Sequence, residues 1–237
     1  MSENKHVKAL YMENSTLTQK AIITKIGKGE INKKTYNWIE LNQTIFHPKG
    51  GGQPSDVGFI SKLPLAFLHK NILDKSQMDK FDIFHCFEEN EPFNFNVGDV
   101  VELNVDASTR LLHSRLHTAG HVLAEAINSS FPSLVAYQGN HSPNDSYVKF
   151  KIIDSPQLEK EEIKQHAEAL FNNWICQDLK IETKFEISGL RAVKVLNSWT
   201  PCGGTHVKNL KEMGLMEISD LSINKKDCTV TIKYRLT

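Results

Sequence analysis

Two pairs of potential metal ligands stand far apart in the sequence. His117 and His121 are four residues apart in a segment with helical periodicity, which places both imidazoles on one face of a helix, close enough to share a cation. Cys202 and His206 flank a Gly-Gly turn, whose permissive backbone lets thiol and imidazole converge. Three imidazoles and one thiolate are suited to tetrahedral Zn²⁺, so we expect these four residues to bind one zinc ion.

Each pair taken alone is also compatible with an ordinary surface or core role, and only the two together favour a metal site. We interpret His113, one turn before His117, as a structural or supporting residue, since tetrahedral zinc needs no fifth protein ligand. Thr118 stands where His-Glu-x-x-His metalloproteases carry their general base, which argues against proteolysis. No separate catalytic side chain is assigned.

A Gly-rich loop lies near residue 50. Gly50, Gly51 and Gly52 are consecutive, which indicates a tight loop or the close approach of a ligand to bare main chain. The Gly-Lys-Ser/Thr of a phosphate-binding P-loop does not follow. A plain hairpin loop remains the alternative.

Three ordered motifs together resemble one family. Residues 44–58 read Thr-x-Phe-x-Pro-x-Gly-Gly-Gly-Gln-x-x-Asp-x-Gly, and His-Thr-Ala-x-His and Cys-Gly-Gly-Thr-His follow downstream. This order resembles the editing domain of alanyl-tRNA synthetases and the free-standing AlaX proteins of medium length, over nearly the whole chain. His47 and Lys49 stand where family members commonly have Tyr and Glu.

The resemblance implies hydrolysis of the ester in mischarged tRNA(Ala), chiefly Ser-tRNA(Ala), with Gly-tRNA(Ala) as a second candidate. It implies Zn²⁺ as the cofactor, in a site that is either closed and structural or open to substrate. By motif position, the zinc ligands would be His117, His121, Cys202 and His206. The residues beside the aminoacyl group would be Thr44, Gly51, Gly52 and Gln53.

Sparing alanyl-tRNA cannot depend on size, because serine is larger than alanine. A site that hydrogen-bonds the extra hydroxyl can reject the analogue lacking it by up to ~10⁴-fold. We expect Thr44, or a backbone group of the loop, to supply that bond; alternatively, Thr44 only caps the strand entering the loop. Two other functions remain open: a non-catalytic, zinc-stabilised tRNA-binding module, and a metallohydrolase of small esters or amides.

The charge balance restricts how RNA would be bound. The 237 residues include 28 Lys+Arg and 28 Asp+Glu, so the formal net charge is +0 and binding to a polyanion requires a local patch. Two of the four arginines, Arg110 and Arg115, lie in the stretch that leads up to His117. We predict that both contact tRNA; the alternative is that they are solvated helix-surface charges.

The sequence predicts a cytoplasmic protein with no membrane partner. Its longest apolar run is far shorter than the ~20 residues that span a bilayer, and it opens without a signal-peptide pattern. The four cysteines are widely spaced, so we expect reduced thiols. The oligomeric state is left open.

The elements that must position these motifs predict an α+β fold. Short β-rich runs separated by turn residues fill the first hundred positions, which indicates an antiparallel β-barrel-like domain over 1–104 carrying the Gly-rich loop. Apolar periodicity predicts helices over 106–128, capped by Asp106 or Ser108, and 155–177. A strand over 146–153, between the helices, and further strands after the second helix complete a zinc-binding editing domain over 105–237.

Overall fold

The computed structural model describes residues 7–72, 81–154, 159–186 and 190–237. The chain divides into two compact units, one of Met1–Gly50 with Pro54–Arg110 and one of Gly51–Gln53 with Leu111–Thr237. The loop tripeptide 51–53 thus groups with the unit that contains the predicted metal ligands. The division into independent domains at residues 104 and 105 stays a prediction.

The first unit is built on an antiparallel sheet of seven strands, in the order β6-β5-β9-β2-β3-β8-β7. Its strands are β2 (Thr18–Ile31), β3 (Lys34–Leu41), β5 (Gly58–Ile60), β6 (Leu63–Pro64), β7 (Phe67–Ile72), β8 (Phe81–Glu88) and β9 (Val100–Val105). Two short strands, β1 (Lys8–Ala9) and β4 (Gln43–Thr44), pair in parallel, and a 3-10 helix covers Leu10–Met12.

A tight turn joins β2 and β3. Asn32 and Lys33 both have positive φ, +53° and +66°, which is the backbone of the type I′ turns that match the twist of a hairpin. The β-rich runs 20–26 and 36–41, on either side of Asn32, Lys33 and Lys34, predict a hairpin, and the antiparallel pairing of β2 with β3 confirms it. The sheet ends at β6 and β7, and a closed barrel is not found among the described residues, so the barrel-like form stays a prediction.

The second unit combines two helices with two antiparallel sheets. The helices are α1 (Ala107–Ser130) and α2 (Lys160–Ile175), and a 3-10 helix covers Leu210–Glu212. The larger sheet has the order β10-β11-β16-β15 and the smaller one β12-β13-β14. Their strands are β10 (Leu134–Ser142), β11 (Asp145–Ile152), β12 (Glu182–Phe185), β13 (Arg191–Val195), β14 (Ser198–Pro201), β15 (Met216–Asn224) and β16 (Thr229–Leu236).

Both helices follow from the sequence pattern. Asp106 caps α1, because its Oδ1 accepts hydrogen bonds from the Thr109 amide (2.7 Å) and the Ser108 hydroxyl (2.7 Å). Helix α2 buries residues at four-residue steps, namely Ile163, Ala167, Phe171 and Ile175. Its predicted start at 155–158 lies outside the described residues.

The core of the second unit contains side chains of both helices and of the larger sheet. Leu116, Ala119 and Leu123 of α1 belong to one buried cluster with Phe150 of β11 and Phe171 of α2. Emptying a buried phenylalanine site costs about 3–5 kcal/mol, so this packing fixes α1 in its place within the unit. The arrangement confirms the predicted α+β class. Neither helix of the described chain has the unbroken apolar length needed to cross a bilayer.

Candidate metal centre and its cavity

The second unit brings together the four ligands predicted from the sequence: His117, His121, Cys202 and His206. Their donor atoms all lie within 4.8 Å of one another. Cys202 Sγ is 3.5 Å from His117 Nε2 and 3.3 Å from His206 Nε2. A tetrahedral zinc with bonds of ~2.0–2.3 Å holds its ligands roughly 3.3–3.8 Å apart, so the donor types and the two distances from Cys202 Sγ fit this ion.

A buried arginine shapes the turn that carries Cys202. The turn follows β14 directly, and Arg191 at the start of β13 donates from Nη1 to the carbonyls of Cys202 (2.9 Å) and Gly204 (2.8 Å). The two acceptors lie on either side of Gly203, so the guanidinium holds the turn closed. Nothing in the sequence pattern distinguishes Arg191 from a surface arginine.

Gln53 fixes the tautomer of His117. The side-chain oxygen of Gln53 accepts from the Thr205 amide (2.9 Å), and its nitrogen donates to the Thr205 hydroxyl (2.9 Å), which sets the orientation of the Gln53 amide. His117 Nδ1 lies 2.8 Å from that oxygen and must therefore carry a proton. His117 Nε2 is left unprotonated on the side of Cys202, as a metal ligand requires.

Thr118 does the same for His206. Its hydroxyl donates its one proton to the Ser114 carbonyl at 2.8 Å, so it accepts from His206 Nδ1 at 3.1 Å. His206 Nε2, which faces Cys202, is then free of a proton. Thr118, next to His117 in the helix, thus orients His206, a role that the sequence pattern did not predict.

At two glycines, other atoms of the protein lie so close that a Cβ would clash with them. A Cβ on Gly204 would lie 2.1 Å from His117 Cε1 and 2.8 Å from Gln53 Oε1. Gly52 has φ +78°, and a Cβ there would lie 2.5 Å from the Gly139 carbonyl oxygen. Gly52 and Gly204 are therefore required by the close approach of other protein atoms, whereas the prediction for the Gly-rich loop was a tight loop or the approach of a ligand.

A further histidine beside the centre was missed from the sequence. His141 in β10 stacks on His117 with ring centroids 4.7 Å apart and planes at 20°. Its Nδ1 is 2.7 Å from the hydroxyl of Tyr234, which itself donates to the Leu116 carbonyl at 2.8 Å. Tyr234 therefore accepts from His141, and His141 Nε2 is an acceptor. Within the described residues, Nε2 has no hydrogen-bond partner.

The centre opens onto a cavity of about 500 Å³, a volume within the range of roughly 300–1,000 Å³ typical of small-molecule sites. Three of the four candidate ligands line it, as do His141 and Gly51 of the Gly-rich loop. The rest of its wall is mixed and includes Ala124, Glu125, Tyr137, Val148, Val195 and Pro201. His206 contacts the centre without lining this cavity.

Burial controls the charges of the centre. It lowers the pKa of His121 to about 4, with a smaller contribution from the nearby Arg191 cation. It also lowers the pKa of His141 to about 3, so both imidazoles are neutral near pH 7. Burial raises the pKa of the Cys202 thiol, against the Gly204 hydrogen bond and Arg191. A cation bound here would reverse this last effect, since coordinating thiols lose their proton.

The other predicted site residues have intrachain partners. Thr44, in the first unit, is fully buried. His85 Nδ1 donates to the Ile39 carbonyl (3.4 Å), so His85 Nε2 is unprotonated and accepts a hydrogen bond from the Thr44 hydroxyl (2.9 Å). The Thr44 oxygen in turn accepts from the Phe46 amide at 3.1 Å. The contact of Thr44 with substrate stays a prediction.

Both predicted RNA-binding arginines are held by the protein itself. Arg110 is 6% exposed; it donates from Nε to Asp56 Oδ1 (2.9 Å) and from Nη2 to the Ile45 carbonyl (2.7 Å). Asp56 is the acidic residue of the Gly-rich motif. Arg115 donates from Nε to the Met213 carbonyl at 2.7 Å. Their role in RNA binding stays a prediction, and His113 is buried outside the ligand cluster.

The likeness to known proteins covers most of the chain. The chain is 32% identical over 214 residues to the alanyl-tRNA editing protein AlaX-M of Pyrococcus horikoshii. This match covers 86% of this chain and 87% of that relative. The chain is 28% identical over 200 residues to the alanine–tRNA ligase of Prochlorococcus marinus, and 26% over 199 residues to that of Campylobacter jejuni. Each match covers 76% of this chain and 22% of the ligase.

No family model matches the chain. The α+β fold and the His/Cys cluster define a protein with a candidate metal centre at the wall of a ligand-sized cavity. An identity of 32% to AlaX-M, over 86% of this chain and 87% of that relative, is specific enough to assign the family. The chain belongs to the AlaX alanyl-tRNA editing proteins.

Proposed function

We propose that this protein hydrolyses the ester bond of mischarged tRNA(Ala), with seryl-tRNA(Ala) as its main substrate and glycyl-tRNA(Ala) as a second. One observation carries the proposal: a three-histidine, one-cysteine cluster lies at the wall of a cavity that also receives Gly51 from the Gly-rich loop. Membership in the AlaX family supports tRNA as the partner. Such an enzyme acts where aminoacyl-tRNAs circulate, and we place it in the cytoplasm.

The four ligands would hold Zn²⁺ with their unprotonated donor atoms turned to one point. A zinc ion bound there supplies a positive charge that can polarise an ester carbonyl. Gln53 and Thr118 keep two of the imidazoles in the ligating tautomer. Their hydrogen bonds therefore set the position of the ligands before substrate binds.

His141 would orient the attacking water. Its Nδ1 keeps its proton and donates a hydrogen bond to the Tyr234 hydroxyl, so Nε2 is an acceptor, and a water hydrogen-bonded to Nε2 keeps a lone pair free for attack. The water oxygen bonds to the carbonyl carbon, the bond from that carbon to the ribose oxygen breaks, one proton of the water passes to the ribose oxygen, and the other leaves with the carboxyl group of serine. Free serine and uncharged tRNA leave the site. Positioning is the main requirement, since aminoacyl esters are already labile.

Thr44 would distinguish serine from alanine. Its proton is committed to His85, so its oxygen would accept a hydrogen bond from the serine hydroxyl. The Thr44 oxygen already accepts from the Phe46 amide, so an alanyl group would leave only its second lone pair without a donor, and such a difference favours a substrate with a hydroxyl over an analogue lacking it. Gly51, Gly52 and Gln53 would lie beside the same aminoacyl group.

A second candidate function is a non-catalytic tRNA-binding module stabilised by zinc. The observation that favours it is the number of ligands, because four protein ligands complete a tetrahedron, as in structural zinc sites. In that case the metal contributes to folding and substrate never reaches it.

Ester loss from seryl-tRNA(Ala) separates these functions. Purified protein should release serine at a rate far above that of the uncatalysed reaction, and should spare alanyl-tRNA(Ala). Binding of seryl-tRNA(Ala) without release would support the non-catalytic module. Equal turnover of serine methyl ester and seryl-tRNA(Ala) would instead identify a hydrolase of small esters.

A further inference from the structure

An exposed aromatic residue stands at the rim of the candidate site. Tyr137 lines the cavity of the metal centre, yet 47% of its surface is exposed. It is the extra residue of a β-bulge in β10, since Ala136 pairs with Phe150 and Gln138 with Lys149, the next residue back along β11. A bulge leaves one residue unpaired and re-aims its side chain, so the irregularity presents this ring at the cavity.

A cation accompanies the ring. Lys151 Nζ lies 5.7 Å from the Tyr137 ring centroid, and β11 carries a second such pair, with Lys149 Nζ 5.3 Å from the ring of Tyr147. The acidic residue in the cavity wall, Glu125, already accepts a hydrogen bond from Ser198 at 2.8 Å. Rings for stacking with ammonium groups beside them are what sequence-tolerant binding of single-stranded nucleic acid requires.

We infer that Tyr137 stacks on the terminal adenine of the tRNA acceptor end. The inference rests on the proposed function, because the scissile ester and this adenine are attached to the same ribose. When the ester carbonyl reaches the metal centre, the adenine lies one sugar ring away and must meet the cavity rim. Lys151 then lies where it can meet the adjoining backbone phosphate. Stacking on one aromatic residue changes affinity by about 5- to 150-fold.

Equilibrium binding of uncharged tRNA tests the inference without any catalytic step. The probes are tRNA(Ala) with the complete CCA end and the same tRNA lacking the terminal adenosine. The wild-type protein and Tyr137→Phe should prefer the complete end by ~10-fold, and Tyr137→Ala should bind both equally. Tyr147→Ala is the matched control, since Tyr147 has the same Lys contact but is not among the residues lining the cavity.

Hydrolysis gives an independent result. Tyr137→Ala should raise KM for seryl-tRNA by ~10-fold and leave kcat unchanged. A Tyr137→Ala protein that still prefers the complete end overturns the inference, as does a Tyr147→Ala protein that loses the preference. If the wild-type protein hydrolyses seryl-tRNA while Tyr137→Ala matches it in KM, only this inference fails. If the wild-type protein hydrolyses no seryl-tRNA, the proposed function fails first.

Discussion

Gln53 and His117 are hydrogen-bonded at 2.8 Å across 64 residues of sequence. The bond connects the Gly-rich motif to the histidine helix, and it makes the two motifs parts of one centre. Gln53 is itself oriented by Thr205, which stands between the candidate ligands Cys202 and His206 of the third motif. All three motifs therefore meet in one hydrogen-bonded group.

Replacing Gln53 should weaken metal binding. Gln53→Leu keeps the approximate size but removes the acceptor for His117 Nδ1, and loss of such an orienting partner lowers metal affinity by about 10- to 100-fold. Competition with a zinc chelator measures the effect. Gln138→Leu, in the cavity wall but without a contact to a ligand, is the control. Equal zinc affinity of Gln53→Leu and wild type would show that Gln53 does not orient the ligand.

Arg110 should matter for stability. Its partner Asp56 is buried, so Arg110→Ala leaves an uncompensated buried charge, and breaking such a pair costs about 3–5 kcal/mol. Arg235→Ala, which breaks the exposed pair with Glu217, should cost less than about 1 kcal/mol. Urea unfolding of both variants measures the difference. An Arg110→Ala protein as stable as wild type, with weaker and less salt-dependent tRNA binding, would support the RNA role instead.

The long-range contacts of the site could not be predicted from local patterns. Spacing identified the two ligand pairs, and helical periodicity placed α1 correctly. Strand β10 was missed, because Gln138, Gly139 and Asn140 are typical of a loop, and His141 was missed with it. Periodicity reports which face of an element is buried, but not which distant residue meets that face. The partners of Thr44 and Arg110 likewise lie far away in the sequence: His85 is 41 residues from Thr44, and Asp56 is 54 residues from Arg110.

Thr44→Val should change substrate choice. The variant keeps the shape of the side chain and removes the hydroxyl, so the ratio of seryl- to alanyl-tRNA hydrolysis should fall by ~5-fold or more, as expected for one hydrogen bond of ~1 kcal/mol. The His85 acceptor is left without its donor, and the melting temperature should fall as well. Thr18→Val, which removes an exposed hydroxyl bonded to Asn104, is the control. A lower melting temperature with an unchanged ratio would make Thr44 purely structural.

The buried His85 should make stability depend on pH. Burial lowers the pKa of His85 to about 4, whereas the unfolded chain has a pKa of about 6.5. Between these two pH values the unfolded state therefore binds more protons than the folded state. The contribution of neutral His85 to the free energy of unfolding is fully present above pH 6.5 and is lost as the pH falls towards 4. The contribution of His85 is about 3 kcal/mol.

Urea unfolding at pH 7 and pH 4.5 measures this dependence. His85→Gln should lose less free energy of unfolding over this interval than the wild-type protein, and the other buried histidines cancel in the comparison. His166→Gln, at an exposed position of α2, should keep the wild-type slope. Identical slopes for His85→Gln and wild type would contradict the assignment of a neutral buried imidazole.

Hydrolysis at the His/Cys centre is tested most directly by measuring zinc content and seryl-tRNA(Ala) hydrolysis in the same preparations of wild type and Cys202→Ala. Cys228→Ala, at an exposed cysteine outside the centre, is the matched control. We expect one zinc per chain with rapid serine release in the wild type and the control, and loss of both in Cys202→Ala. Full zinc occupancy with unchanged hydrolysis in Cys202→Ala would contradict zinc binding and hydrolysis at the His/Cys centre.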